Sequence, residues 1–285
     1  MTSIFLTDRP DRLGSNFVCK ISDFIYGKYC KLDILYNSDI RFEKSMFTQS
    51  FIKLCKVNSN NPNNIIVPGR DGIRGIQGDT VIKIQQDLIS YFKEHYRDEL
   101  MNIIENIAIE RNYKLPWVDS DNIIAIHLRC EDRAEKPDYN GSGSANYIKN
   151  LIETNRFTCY DRKKMKAASQ DTQVCINPNK LENFIKKFKQ EYPNKEIHVI
   201  YAGKPKLQIR NILNEYNIIK HSNTDPDYDL WLLMHSNILV ASKSTYSMIA
   251  VYFFKGSKVY YPLWGTAVSC GLYTKYDKTN YEYYI

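Results

Sequence analysis

No window of this 285-residue chain approaches the ~18 consecutive apolar residues of a membrane span. The opening "MTSIFLTDRPDRLG" also lacks an apolar core of signal-peptide length. Cytosolic residence is therefore the expectation. There is no CxxC pair either: the seven cysteines, Cys19, Cys30, Cys55, Cys130, Cys159, Cys175 and Cys270, form an odd set without regular spacing. That argues against a disulfide framework or a zinc site and for reduced thiols. The charge is not concentrated. A formal +7 is spread along the chain, which suits an anionic ligand such as a phosphorylated small molecule without calling for nucleic acid. Glycine is scarce, at 12 residues, yet Gly69, Gly72, Gly75 and Gly78 recur at every third position in "GRDGIRGIQGD". Four glycines are too few for collagen, and no Lys-Ser/Thr follows as in a P-loop, so tight turns account for them better than a phosphate loop.

What is present is an ordinary globular composition, 43% apolar and 25% charged, in a chain longer than one hydrophobic core usually fills. "SIFLT" reads as a strand, and apolar Phe17, Ile21, Phe24 and Ile25 follow at helical spacing. "KLDILY" is a second strand, followed by a helix near Glu43 to Cys55 and a strand at "IIVP". A long helical stretch from about Thr80 to Arg111 ends at the Pro and Asp-rich "KLPWVDSDN", taken as the boundary between an N-terminal α/β domain, 1–118, and a C-terminal domain, 119–285. Beyond it, strands at Ile123 to Leu128, Ile197 to Ala202, Ile238 to Ala241 and Lys258 to Tyr261 alternate with helices. The helices are expected at Leu181 to Tyr192, Leu207 to Tyr216, Tyr228 to His235 and Tyr246 to Phe254. That alternation predicts a doubly wound parallel sheet. An insertion at about 138–177, carrying "NGSGSAN" and the basic "DRKKMK", follows directly on a strand's carboxyl end, where it is either a site-shaping loop or a solvated excursion.

The chemistry concentrates where strands end. "IIAIHLRCEDR" is an apolar run that stops abruptly in His127, Arg129, Glu131, Asp132 and Arg133. His127 and Arg129 alternate, so they share a face of the strand. An Arg there can fork two hydrogen bonds onto a phosphate, or else pair with Asp132 or Glu131. His127 taken alone is a hydrogen-bonded core histidine. "NILVASKSTYSMIAVYFF" is a strand that runs into Ser242, Lys243, Ser244 and Thr245 and then at once into a helix. Its unpaired backbone N–H groups and hydroxyls form an anion cradle, or Ser244 or Thr245 simply caps the helix. "NTDPDYDLWLLMHSN" places Asp225, Asp227 and Asp229 at a helix start, where carboxylates favour the positive end. Its "DPD" imitates a metal-binding DxD, but spacing fixes no further carboxylates to complete such a site. Asp229 could instead accept both donors on the Watson–Crick edge of guanine.

In this order and spacing the segments resemble the superfamily of α1,2-, α1,6- and protein O-fucosyltransferases. "HLRCEDR" is similar to the family's His-x-Arg-Arg-x-Asp-Lys, and "DLWLLMHSNILVASKST" to its Asp, apolar helix, strand, Ser-Ser/Thr segment. "DRLGSNF" looks like its N-terminal Gly-Arg-x-Gly-Asn-Gln turn, and "EIHVIYAGKP" like the strand ahead of its Ala-Thr-Asp-Asp. Together these cover nearly half of the chain, mostly its second half. The resemblance implies a GT-B-like fold of two facing Rossmann-like domains, with the donor nucleotide held mainly by the C-terminal domain and the acceptor on the N-terminal side. It also implies GDP-fucose as donor, a glycan or glycoprotein acceptor, inversion at the anomeric carbon and no metal or other cofactor.

On that basis Arg129 would clamp the β-phosphate, and His127 and Asp229 would contact the nucleotide. Ser242, Ser244 and Thr245 would lie along the phosphates, with Arg12, Gly14, Ser15 and Asn16 facing them across the cleft. Asp138, then Glu135, would be the base that deprotonates the acceptor hydroxyl, unless departure of a well-held leaving group makes a base unnecessary. The sequence departs from the family at Cys130, which stands where many members have a second Arg, at Ser15 for the usual Asn, and at Gly203 and Lys204 where carboxylates are common. Two other readings stay open: a related transferase using another nucleotide sugar, and a non-catalytic module binding a nucleotide or polyanion through "DRKKMK".

Overall fold

The computed structural model describes residues 2–7, 13–37, 44–55, 64–66, 91–92, 94–130, 175–222, 225–262 and 281–284. The chain divides into two compact units, with the main division between Tyr113 and Lys114, so "KLPWVDSDN" opens the second. No helix among the described residues is long and apolar enough to cross a membrane. The glycine run Gly69 to Gly78 and all of the insertion ahead of Cys175 lie outside the described residues.

In the first unit the alternating apolar residues of β1 (Thr2–Thr7) bury Ile4 and Leu6. α1 (Leu13–Tyr29) follows, burying Ile21, Phe24 and Ile25 at the spacing the sequence predicts, then β2 (Asp33–Asn37) and α2 (Met46–Leu54). β3 (Asn64–Ile66) and α3 (Arg97–Glu110) complete it. The three strands form a parallel sheet in the order β2-β1-β3. The sequence reading placed Gly14, Ser15 and Asn16 in a turn, but all three belong to the start of α1. Lys20 is buried, its ammonium held by Tyr36 Oη at 2.7 Å and Thr48 Oγ1 at 3.3 Å. Two helices here end without glycine, in left-handed residues Lys31 and Asn112, with φ of 55° and 57°. There the N–H groups of Leu32 and Tyr113 return to carbonyls inside the preceding helix, satisfying acceptors that helix ends otherwise leave open.

The second unit alternates as the sequence suggests. β4 (Ile123–Arg129), α4 (Pro178–Glu191), β5 (Glu196–Ala202) and α5 (Leu207–Glu215) come first. β6 (Ile219–His221), α6 (Pro226–Met234), β7 (Ile238–Val240), α7 (Thr245–Phe253), β8 (Lys258–Pro262) and β9 (Tyr281–Tyr284) follow. Two helices start ahead of their apolar periodicity because polar caps admit a proline at the first turn. Asn177 accepts from Asn179 N–H ahead of α4, and Asp225 accepts from Asp227 and Tyr228 N–H ahead of α6.

All six strands are parallel, in the order β6-β5-β4-β7-β8-β9. This is the order of a Rossmann-like sheet, which runs outward from β4 in one direction and then, from β7, in the other. The alternation within β4 sets its faces. Ile124, Ile126, Leu128 and the following Cys130 join one core cluster with Leu181, Ile185 and Phe188 of α4 and Ile209, Ile212 and Leu213 of α5. Ile123, Ala125, His127 and Arg129 therefore face the other side. At the far edge, Glu282 ties β9 down through Lys187 at 2.8 Å and Lys258 at 2.9 Å, and both ammonium groups lie over the Tyr260 ring.

Where the chain turns from α7 into β8, Gly256 lies against the loop that leads into β7. A Cβ at this position would sit 2.4 Å from the carbonyl oxygens of Ser236 and Asn237. Gly256→Ala should therefore cost about 1–3 kcal/mol of stability through overpacking, read as a lower urea midpoint. An unchanged midpoint would show that this loop yields freely.

Candidate functional site

A parallel sheet of this order binds its ligands outside the strands' carboxyl ends, at the point where the chain reverses direction across the sheet. Here that point lies between β4 and β7. The two strands are in register through Ile124 to Ile126 against Ile238 to Val240, so β4 continues past the last paired residue to deliver Arg129. β7 ends sooner, and its chain closes a tight turn in which Ser244 N–H donates to the Ser242 carbonyl at 2.7 Å. Ser244 then caps α7, its hydroxyl accepting from Tyr246 N–H at 3.2 Å.

The two strand ends meet through side chains. Arg129 Nη1 donates to Ser244 Oγ at 3.2 Å. His127 Nδ1 lies 2.7 Å from Ser242 Oγ and 2.5 Å from Ser247 Oγ, and its ring is tilted against Tyr246, with centroids 5.2 Å apart. Burial first, and then the Arg129 cation, hold the His127 imidazole down at about 3, so it is neutral at ordinary pH. Ser242, Ser244 and Thr245 are buried beside it.

A second helix start adjoins these two strand ends. α6 packs against α7, and the Tyr246 phenol donates to the Pro226 carbonyl. Asp227 and Asp229 are both buried in the first turn of α6, with Asp225 as its cap. Burial raises the Tyr246 phenol well above its ordinary value, and Asp229, Asp227 and Asp225 push it further. So an arginine, a neutral imidazole, several hydroxyls, two helix N-termini and a carboxylate cluster gather along one edge of the sheet. The cations, hydroxyls and N–H groups can hold a diphosphate, and an acidic group beside them can accept from a base edge.

Of the residues singled out from the sequence, His127, Arg129, Asp229, Ser242, Ser244 and Thr245 belong to this one unit, and His127, Arg129 and the serines are in direct contact. Gly14 is buried in the first unit. Arg12, Glu135 and Asp138 lie outside the described residues. Sequence reasoning missed Ser247 and Tyr246. The available signal was a serine two residues inside an otherwise apolar helix, where a buried hydroxyl needs a partner.

No protein-family model matches the chain, and no curated protein matches it. Among solved structures it is similar to POFUT1 in complex with GDP, at 11% identity and a TM-score of 0.42 over 90% of this chain and 96% of that one. A further crystal form of POFUT1 with GDP gives 11% and 0.36 over 88% and 94%. POFUT1 in complex with GDP-fucose gives 13% and 0.30 over 90% and 71%. At such low identity and TM-score, the reading of the site stands on its own residues.

The depressed His127 value makes stability depend on pH. In the unfolded chain a histidine takes up a proton as pH falls through about 6.5, whereas folded His127 resists protonation down to about 3. Acidification therefore favours the unfolded state, by up to about 1.4 kcal/mol per pH unit across that window. His198 and His221 are lowered as well, chiefly by burial, and act in the same direction. His127→Asn keeps an acceptor near Nδ1 and should flatten the loss of stability between pH 6.5 and 4, measured by urea unfolding. A slope equal to that of the unmodified protein would contradict a buried neutral His127.

Proposed function

We propose that this protein is a glycosyltransferase that moves fucose from GDP-fucose to a sugar or protein hydroxyl, with inversion and without a metal ion. One observation carries the reading: Arg129 and Ser244, delivered by the two strands that flank the reversal point of a Rossmann-like sheet, meet at 3.2 Å. The resemblance of "HLRCEDR" and "DLWLLMHSNILVASKST" to the fucosyltransferase motifs supports it independently. The domain assignment belongs to the same proposal, with residues 119–285 binding the nucleotide sugar and 1–118 serving the acceptor.

The chemistry follows from charge. As the glycosidic C–O bond breaks, negative charge accumulates on the departing diphosphate. A fixed guanidinium, the Ser244 and Thr245 hydroxyls and the α7 N-terminus lower the energy of that charge. Arg129 rather than a lysine suits this place because its planar fork can hold two oxygens at once. Asp229 accepts from the N1–H and N2–H₂ groups of guanine. Asp138 or Glu135 takes the proton of the acceptor hydroxyl, or the bond to the leaving group breaks first and a base contributes little.

Two measurements test the proposal. Arg129→Ala should lower release of GDP from GDP-fucose by at least about a hundredfold, the cost of one lost charge-stabilising donor, whereas EDTA should leave the rate unchanged. Calorimetry should find GDP bound well and UDP and ADP poorly, with the preference lost in Asp229→Asn. Full activity in Arg129→Ala, activity abolished by EDTA, or equal binding of the three nucleotides would each overturn part of the mechanism.

A further inference from the structure

Three polar atoms close a small triangle beneath the candidate phosphate site. His127 Nδ1 lies 2.7 Å from Ser242 Oγ and 2.5 Å from Ser247 Oγ, and the two hydroxyl oxygens are 3.0 Å apart. Ser242 N–H also donates to Ser247 Oγ at 3.1 Å. Ser242 is 2% exposed and Ser247 fully buried, so their hydrogens need acceptors inside this cluster.

Counting hydrogens decides the tautomer. If Nδ1 carries a proton, the triangle holds three hydrogens. Nδ1 then donates and no longer accepts, so the two hydroxyl hydrogens are left only the contact between the two oxygens, which carries one of them; the other buried hydrogen has no acceptor in the triangle. If Nδ1 is bare, both hydroxyls are satisfied in a chain: Ser242 O–H donates to Ser247 Oγ, and Ser247 O–H donates to Nδ1. Ser247 Oγ then uses both lone pairs, one for the Ser242 hydroxyl and one for the Ser242 backbone N–H. The remaining ring proton must sit on Nε2, which no described residue engages.

We propose that Ser247 is a positioning residue: with Ser242 it holds His127 in the tautomer protonated at Nε2. The imidazole then offers a fixed N–H donor to the ligand of the strand ends. That the ligand is a nucleotide diphosphate rests on the proposed function, whereas the tautomer rests on the triangle alone. The hydroxyl chain also joins the end of β4 to the turn after β7, so the donor and the helix start keep one geometry.

The test is nitrogen NMR on the full chain labelled at histidine, with the His127 signals assigned by their absence in His127→Asn. At pH 7 the unmodified protein should show a bare Nδ1 and a protonated Nε2. Ser247→Ala should mix the two tautomers and weaken GDP binding by about tenfold, the worth of one hydrogen bond at the upper end of its usual range. Ser247→Cys, close in volume and still a weak donor, should recover part of both. A protonated Nδ1 in the unmodified protein overturns the proposal whether or not the variants fold. So does a folded Ser247→Ala with an unchanged tautomer. The expected tautomer in a protein that fails to bind GDP would support the role of Ser247 and overturn only the donor reading.

Discussion

The second unit depends on one strand pairing in parallel with two neighbours that the chain reaches in opposite directions. β4 is in register with β5 along its whole length, from Ile123 with Glu196 to Arg129 with Ala202, and with β7 over only three residues. The mismatch in length gives the site its form. One strand runs on and carries an arginine; the other stops and turns into a helix. Because side chains alternate along β4, the long pairing also decides which residues meet the turn and which meet α4 and α5. A slip of one residue would bury Arg129 among isoleucines and point Leu128 at Ser244.

The electrostatics follow from that alternation. His127 and Arg129 lie two residues apart on one face, too close for both to be charged without cost. The fold resolves this by burying the imidazole and leaving the guanidinium at the rim. Arg129 is then the cation of the pair, while His127 contributes direction: a neutral ring bound on one side by hydroxyls donates on the other. The Tyr246 phenol shows the same economy. It remains protonated beside three aspartates and donates to the Pro226 carbonyl, so the starts of α6 and α7 are joined without adding a charge.

Much of this architecture was legible because it rests on local patterns. The runs "IIAIHL", "EIHVIYA" and "NILV" announce buried strands, and helical periodicity places α4 to α7 within a few residues. Strands β6 and β9 were not legible. Ile219-Lys220-His221 is three residues long and mostly exposed, and "YEYY" lacks the β-branched residues that mark a strand. Both become strands by adding to an existing sheet edge, and β9 is further fixed by the Lys187–Glu282–Lys258 bridge. Such tertiary causes leave little trace in a short segment. In the site, Arg129 and the Ser242 to Thr245 turn could be read as parts of one device because each ends a strand. Ser247 could not, because its role depends on a ring brought to it from 120 positions away.

Cys130 shows what the fold adds to such a reading. By sequence it stands beside Arg129, where a second arginine is common in the family this chain resembles, and the difference looks like a charge removed from the candidate phosphate site. In this chain the residue is 6% exposed and belongs to the cluster of Ile126, Leu128, Cys175 and Leu181 on the opposite face of the sheet. An arginine there would have to lose its hydration within that cluster or displace the backbone that positions Arg129, and either costs several kcal/mol. A cysteine fills the same place as a small apolar residue. The departure is therefore a matter of packing between β4 and the start of α4, and the positive charge at the strand end is carried by Arg129.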